Sequence, residues 1–295
     1  MIKIKKGLLA ITVLVLLVYV TGEYKPARYY SLLCVDTSAA ESGEWNDHYD
    51  GYIIGANGCL YDPAIVSIND VPSVVSASSQ ETLRTPIWYV NGANHRADWV
   101  LPEMHLLAEN SGRPVVAIYN ATLGGRLPDA ISDGLRESKV AKTIASQIIR
   151  NLLDHQDVYI SCNSQGAYHV SKGLSQAITT LSGKFDRGEL TALLSKVHVE
   201  TAGGAASAFP DGPQYIHYVN SHDPVPSSAG VLSGGAQPGA DAVIVEFSGH
   251  DDDALEPKYR WVGPLTGKFL NVHGFNLYRQ YRQPFDATYP KSNPS

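Results

Sequence analysis

Apolar residues along this chain fall into two textures that meet near Pro86. From Glu23 to about Leu83 the background is Tyr, Gly, Ser, Asn and Asp, broken by short β-like runs at Tyr52–Ile54 and Ile65–Ile68. Residues 23–85 read as an N-terminal extension holding strands or a hairpin. Beyond Pro86, largely apolar segments of strand length recur at Ile87–Val90, Pro114–Tyr119, Val158–Ser161, Val197–Thr201, Tyr215–Val219 and Val243–Phe247. Helical patterns separate them, around Pro102–Glu109, over Ala130–Leu153, over Gly166–Leu181 and from Gly267 to about Arg282. In Ala130–Leu153 the apolar positions Ile131, Leu135, Val140, Ile144, Ile148 and Leu152 keep helical spacing. Apolar strands alternating with helices imply parallel crossovers and a sheet covered on both faces. The expected fold class for residues 86–295 is α/β, with a mostly parallel central sheet.

The first 22 residues follow another pattern. Lys3, Lys5 and Lys6 precede an apolar run from Leu8 to Val20, interrupted only by Thr12. This suits a secretory signal, with an uncleaved N-terminal anchor as the competing reading. Either places the domain outside the cytoplasm: secreted, periplasmic or membrane-anchored, with membrane association through this segment. In an oxidising compartment Cys34 and Cys59 are candidates for a disulfide, while Cys162 lies in an apolar strand and reads as a buried thiol. A net charge of −6, with scattered basic residues, argues against a nucleic-acid partner.

The sharpest chemical signal is Val158-Tyr159-Ile160-Ser161-Cys162-Asn163-Ser164-Gln165-Gly166-Ala167. A buried strand runs straight into Ser164, small residues stand two positions away on each side, and a helix starts at once. That is a nucleophile elbow, in which a strained turn lifts the serine hydroxyl off the sheet. It also aims the Gln165 N–H, at a helix N-terminus, toward a developing oxyanion. A serine hydroxyl needs a base, and the base an orienting acid. Asp223 follows the strand Tyr215–Val219 and suits the acid. Two histidines follow it, and His273, ahead of the last amphipathic helix, is preferred as base over His250, which stands in the acidic stretch Asp251–Asp253. A second oxyanion donor is expected from the loop after Ile87–Val90, at Gly92 or Ala93, with the choice between their N–H groups open. The spacing of His95, His105 and His169 matches no metal motif, and the glycine-rich stretches match no phosphate fingerprint, so no metal or other cofactor is expected.

Ile87–Gly92 (IWYVNG), Ala117–Gly124 (AIYNATLG), Ser161–Ala167 (SCNSQGA), Thr201–Ala206 and Asn220–Pro226 (NSHDPVP) together resemble α/β-hydrolase domains of the bacterial lipase and esterase kind. The resemblance covers roughly Pro86 to Arg282. It implies Ser164 as nucleophile, Asp223 as acid and His273 as base. Cys162 stands where the first glycine of the elbow is usual, and Asn163 where histidine is frequent. The expected activity is cleavage of a small-molecule or lipid ester through an acyl-enzyme at Ser164. The alternative is a non-catalytic module of the same fold that binds at the cell surface.

Overall fold

The computed structural model describes residues 34–36, 47–76, 85–93, 95–122, 138–251 and 271–283. Two compact units divide the chain, Met1–Cys34 and Val35–Ser295, and the helices and sheet belong to the second apart from Cys34 itself. The apolar N-terminal run lies outside the described residues, as do residues 123–137 and 252–270, where parts of two expected helices fall. Among the described residues no helix is long and apolar enough to cross a membrane. Cys34 and Cys59 are disulfide-bonded, and Cys162 is a buried free thiol that burial, reinforced by nearby Glu200, keeps protonated.

In chain order the strands are β1 (Cys34–Asp36), β2 (Ile53–Ile54), β3 (Cys59–Tyr61), β4 (Ile87–Val90), β5 (Val115–Ile118), β6 (Val158–Asn163), β7 (Val197–Ala202), β8 (Gln214–Asn220) and β9 (Val243–Phe247). They form one sheet in the order β1-β3-β2-β5-β4-β6-β7-β8-β9. From β5 to β9 every pairing is parallel, whereas β2 runs antiparallel to both β3 and β5. The helices are α1 (Ala97–Ser111), α2 (Lys139–Leu153), α3 (Gln165–Ser182), α4 (Arg187–Leu194), α5 (Pro224–Ser228) and α6 (Phe275–Tyr281). The expected α/β class with a mostly parallel sheet is what the chain adopts.

Strand side chains alternate between faces. Ile87 and Tyr89 join a core with Val100, Met104 and Leu107 of α1 and Phe275 and Tyr278 of α6. Trp88 and Val90 point the other way and are equally buried. Burial on both sides explains why these strands read as largely apolar runs.

Two expectations in the N-terminal part change. Ile65–Ile68 is no strand. Asp62 closes a local turn there, its side chain accepting the Ala64 N–H (2.9 Å) and its carbonyl the Ile65 and Val66 N–H groups (3.1 and 3.0 Å). Ile65 is exposed, and Ile68 begins a short 3-10 helix. The second strand is Cys59–Tyr61 instead, and the turn between β2 and β3 contains Asn57-Gly58, with Gly58 at φ 72°. The helix expected around Pro102–Glu109 starts earlier, at Ala97, with Pro102 inside it.

Candidate active site

The apolar strand β6 ends at Asn163 and α3 begins at Gln165, leaving Ser164 alone in the turn. Its backbone has φ 51° and ψ −121°, a conformation a non-glycine residue adopts only under constraint. The constraint is visible. Ser164 N–H donates to Ala202 O (3.1 Å), and Ser164 O accepts from Ala167 (3.1 Å) and Ala205 (2.9 Å). A Cβ on Gly166 would lie 2.4 Å from Val90 O, so the turn fits against β4 only with glycine there. On the other side Cys162 is fully buried, and its thiol donates to Glu200 O (3.4 Å).

The Ser164 hydroxyl lies 2.8 Å from His273 Nε2, to which it donates. His273 Nδ1 in turn donates to Asp223 Oδ2 at 2.6 Å. Asp223 and His273 are buried, and Ser164 is half-buried. Asp223 leaves the carboxyl end of β8 and caps α5, its Oδ1 accepting the Val225 N–H (2.9 Å). His273 stands just before Gly274, the N-cap of α6. His250 is placed elsewhere: it is exposed, 3.3 Å from Asn271 Oδ1, with its ring stacked on His222. The chain thus brings Ser164, Asp223 and His273 together and leaves His250 out.

The loop after β4 closes the other side. A Cβ on Gly92 would sit 2.8 Å from Asn163 Oδ1 and 3.1 Å from Ser164 Cβ, so only glycine lets this backbone approach the serine. Asn91 Nδ2 donates to Gly92 O (2.9 Å) and to Asn120 O (2.9 Å), and Asn120 Nδ2 reaches Gly92 O at 3.4 Å. In a trans peptide the carbonyl and the next N–H point in opposite directions. With Gly92 O held by these amides, the Ala93 N–H faces away from them. Asn120 also ties this loop to the elbow through Gln165 Oε1 (3.0 Å), which Thr122 Oγ1 reaches at 3.3 Å.

Three residues in this arrangement carry no role that the sequence alone assigns, although Asn120 lies inside the segment Ala117–Gly124. Tyr278 Oη donates to Asp223 Oδ2 (2.6 Å) and accepts the Asn220 N–H (3.2 Å). Burial first, then the charge of Asp223, pushes the Tyr278 phenol far up, so it stays a donor. Asn120 couples two loops, and His95 bonds to Ala93 O (3.0 Å) and Glu103 Oε1 (2.9 Å). The bonds of Tyr278 and Asn120 have no signature in local sequence, since their partners lie on other elements. The end of α6 is anchored by a buried ion pair, Arg282 Nη2 to Glu200 Oε1 at 2.7 Å. No family model and no curated protein matches this chain.

Proposed function

We propose that this protein is a serine hydrolase of the α/β-hydrolase type that cleaves an ester. One observation carries the reading: a strained Ser164 at a strand-to-helix turn, hydrogen-bonded to His273 Nε2, whose Nδ1 bonds to buried Asp223. The order serine, aspartate, histidine along the chain is that of the hydrolase elbow. In this reading His273 Nε2 takes the hydroxyl proton as Ser164 Oγ attacks the acyl carbonyl. Asp223 holds the ring in the required tautomer and stabilises the imidazolium. The imidazolium then protonates the leaving alcohol, and water attacks the acyl-enzyme by the same route in reverse. The Gln165 N–H, heading α3, and the Ala93 N–H serve as oxyanion donors, each such donor lowering the barrier by about 3 kcal/mol. The pinned Gly92 carbonyl favours Ala93 over Gly92 as the second one.

The Cys34–Cys59 disulfide supports an extracytoplasmic setting. A fluorophosphonate probe is expected to label the folded protein at Ser164, and Ser164→Ala to abolish both labelling and release of p-nitrophenol from a panel of short and long esters. A folded protein that neither labels nor shows Ser164-dependent release would make the hydrolase-fold binding module the better reading.

A further inference from the structure

We propose that His95 is a positioning residue of the oxyanion loop that works in its doubly protonated form, so that turnover falls as this imidazolium loses a proton. The proposal rests on the reading of Ser164 as nucleophile and of the Ala93 N–H as oxyanion donor.

Both ring nitrogens of His95 face oxygen acceptors. Nδ1 lies 3.0 Å from Ala93 O, and a carbonyl has no hydrogen to give, so Nδ1 carries one. Nε2 lies 2.9 Å from Glu103 Oε1 on α1, while the other carboxylate oxygen accepts from Tyr89 Oη at 2.9 Å. A carboxylic acid gives up its proton more readily than an imidazolium. The proton between Nε2 and Oε1 therefore belongs to the ring. His217 shows the opposite arrangement. Its Nε2 donates to Pro238 O (2.9 Å) and its Nδ1 meets the Thr201 hydroxyl (2.9 Å), which supplies the hydrogen itself, so a neutral ring suffices. Tyr119 Oη donates to the His95 carbonyl (2.9 Å), and Arg96 is paired with Asp98 (3.0 Å) and lies over Trp99.

The consequence follows from which peptides are held. The Gly92 carbonyl is fixed by Asn91 and Asn120, and the Ala93 carbonyl by His95. These two peptides flank the Ala93 Cα, so together they set the direction of the Ala93 N–H. When His95 loses a proton the ring keeps a single N–H, and the Glu103 carboxylate, a stronger acceptor than a carbonyl, retains it. Ala93 O then faces a lone pair, that peptide turns, and the oxyanion donor moves off position.

The test pairs kinetics with a readout that needs no turnover. For Ser164-dependent ester hydrolysis followed from mildly acidic to alkaline pH, kcat is expected to fall about tenfold through the His95 titration, with KM little changed. That is less than the hundredfold or more typical of deleting a donor, because the donor is displaced and not removed. His95→Asn is expected to show a uniformly low kcat without that step, and Glu103→Gln to move the step to lower pH. Imidazole nitrogen chemical shifts, assigned by their loss in His95→Asn, are expected to show both His95 nitrogens protonated at neutral pH. The Ala93 amide signal is expected to move with the same midpoint. A neutral His95 ring at neutral pH, an Ala93 amide indifferent to it, or a kinetic step that survives in His95→Asn would overturn the proposal. Failure of the hydrolase reading looks different: turnover absent or unaffected by Ser164→Ala, while the two spectroscopic readouts still report on His95.

Discussion

On one side of Ser164 the loops after β4, β5 and β6 are tied together by amides, with Asn120 bonded to both Asn91 and Gln165, and with Asn91 and Asn120 both donating to the Gly92 carbonyl. On the other, the loop after β8 and the segment before α6 are tied by a carboxylate, an imidazole and a phenol: Asp223, His273 and Tyr278. Amides neither gain nor lose protons across the working pH range, so the first side keeps its geometry whatever the solvent does. In the proposed hydrolysis the second passes a proton back and forth. The side that only has to hold donors still is built from groups that do not change. His95 and Glu103 are the exception, a titratable pair bonded to the amide side.

Breaking the titrating side is expected to have the largest effect. His273→Ala should lower kcat/KM by at least about a thousandfold, and Asp223→Asn should do comparable damage by favouring the wrong imidazole tautomer. His250→Ala should stay within about threefold, as an exposed ring that meets Asn271 and His222 instead of the Ser164 hydroxyl allows. Steady-state kinetics on purified variants with unchanged thermal melts checks all three. The reverse pattern would remove His273 from the site and leave Ser164 standing.

Breaking the amide side should cost less and differ in kind. Asn120→Ala deletes the bonds to Gln165 Oε1 and Gly92 O, so kcat is expected to drop between about tenfold and a hundredfold, the upper figure matching outright loss of one oxyanion donor. Its pH profile should keep the wild-type shape, since no titrating group has been touched. A changed shape would show that the two sides are coupled more closely than their hydrogen bonds imply.

This asymmetry also explains which parts of the molecule are legible in the chain before folding. The elbow announces itself because strand, serine and helix are contiguous, and the strain at Ser164 demands small neighbours within two positions. The parallel strands β4 to β8 announce themselves because burial on both faces leaves few polar residues inside them. Asn57-Gly58 and the capping box of Asp186 and Glu189, where Asp186 accepts from Gly188 and Glu189, are equally local signals, for β3 and α4. They are two and four residues long, however, and easily masked by the stronger apolar runs around them. Tyr278 and the Glu200–Arg282 pair carry no such signal, and Asn120, though inside the segment Ala117–Gly124, gives no sign of its bond to Gln165, because each acts on a partner brought near only by the sheet order. The choice between Gly92 and Ala93 turns on a single bonded carbonyl, which no sequence pattern encodes.

Behind both sides lie histidines kept neutral, His169 on α3 and His217 on β8. Burial lowers His169 to about 4; burial also lowers His217 to about 4, against the raising effect of its bond to Pro238 O. Below about pH 6.5 the unfolded chain takes up protons that these buried rings refuse. Their contribution to stability is therefore complete above that pH and is lost as pH falls toward about 4. Between about pH 7 and pH 5 each ring should cost the fold about 2 kcal/mol. Urea unfolding at the two pH values measures it, and His217→Gln should flatten the dependence by about one ring's share. An undiminished slope in that variant would mean that His217 titrates normally when folded.

Among the residues bonded within the site, the smallest effect expected on turnover is that of Tyr278→Phe, and it tests whether the Asp223 side needs its phenol. Asp223 Oδ2 accepts two donors at 2.6 Å, from His273 Nδ1 and from Tyr278 Oη, while Oδ1 is occupied by the Val225 N–H. The phenol therefore holds the same carboxylate oxygen as the imidazole and shares its charge. Removing the hydroxyl leaves the ring packed against Phe247 and leaves the Asn220 N–H without its acceptor. One buried hydrogen bond to a charged group contributes about 2 kcal/mol to stability, most of it to the fold and not to the transition state. The expected outcome is a lower melting temperature and a severalfold loss in kcat, about one pKa unit's worth of free energy or less. Because burial keeps Tyr278 protonated far into the alkaline range, wild type and Tyr278→Phe should show the same alkaline limb. A limb that disappears in Tyr278→Phe would transfer the alkaline titration from His95 to the phenol, and with it the pH sensitivity from the amide side of the site to the titrating one.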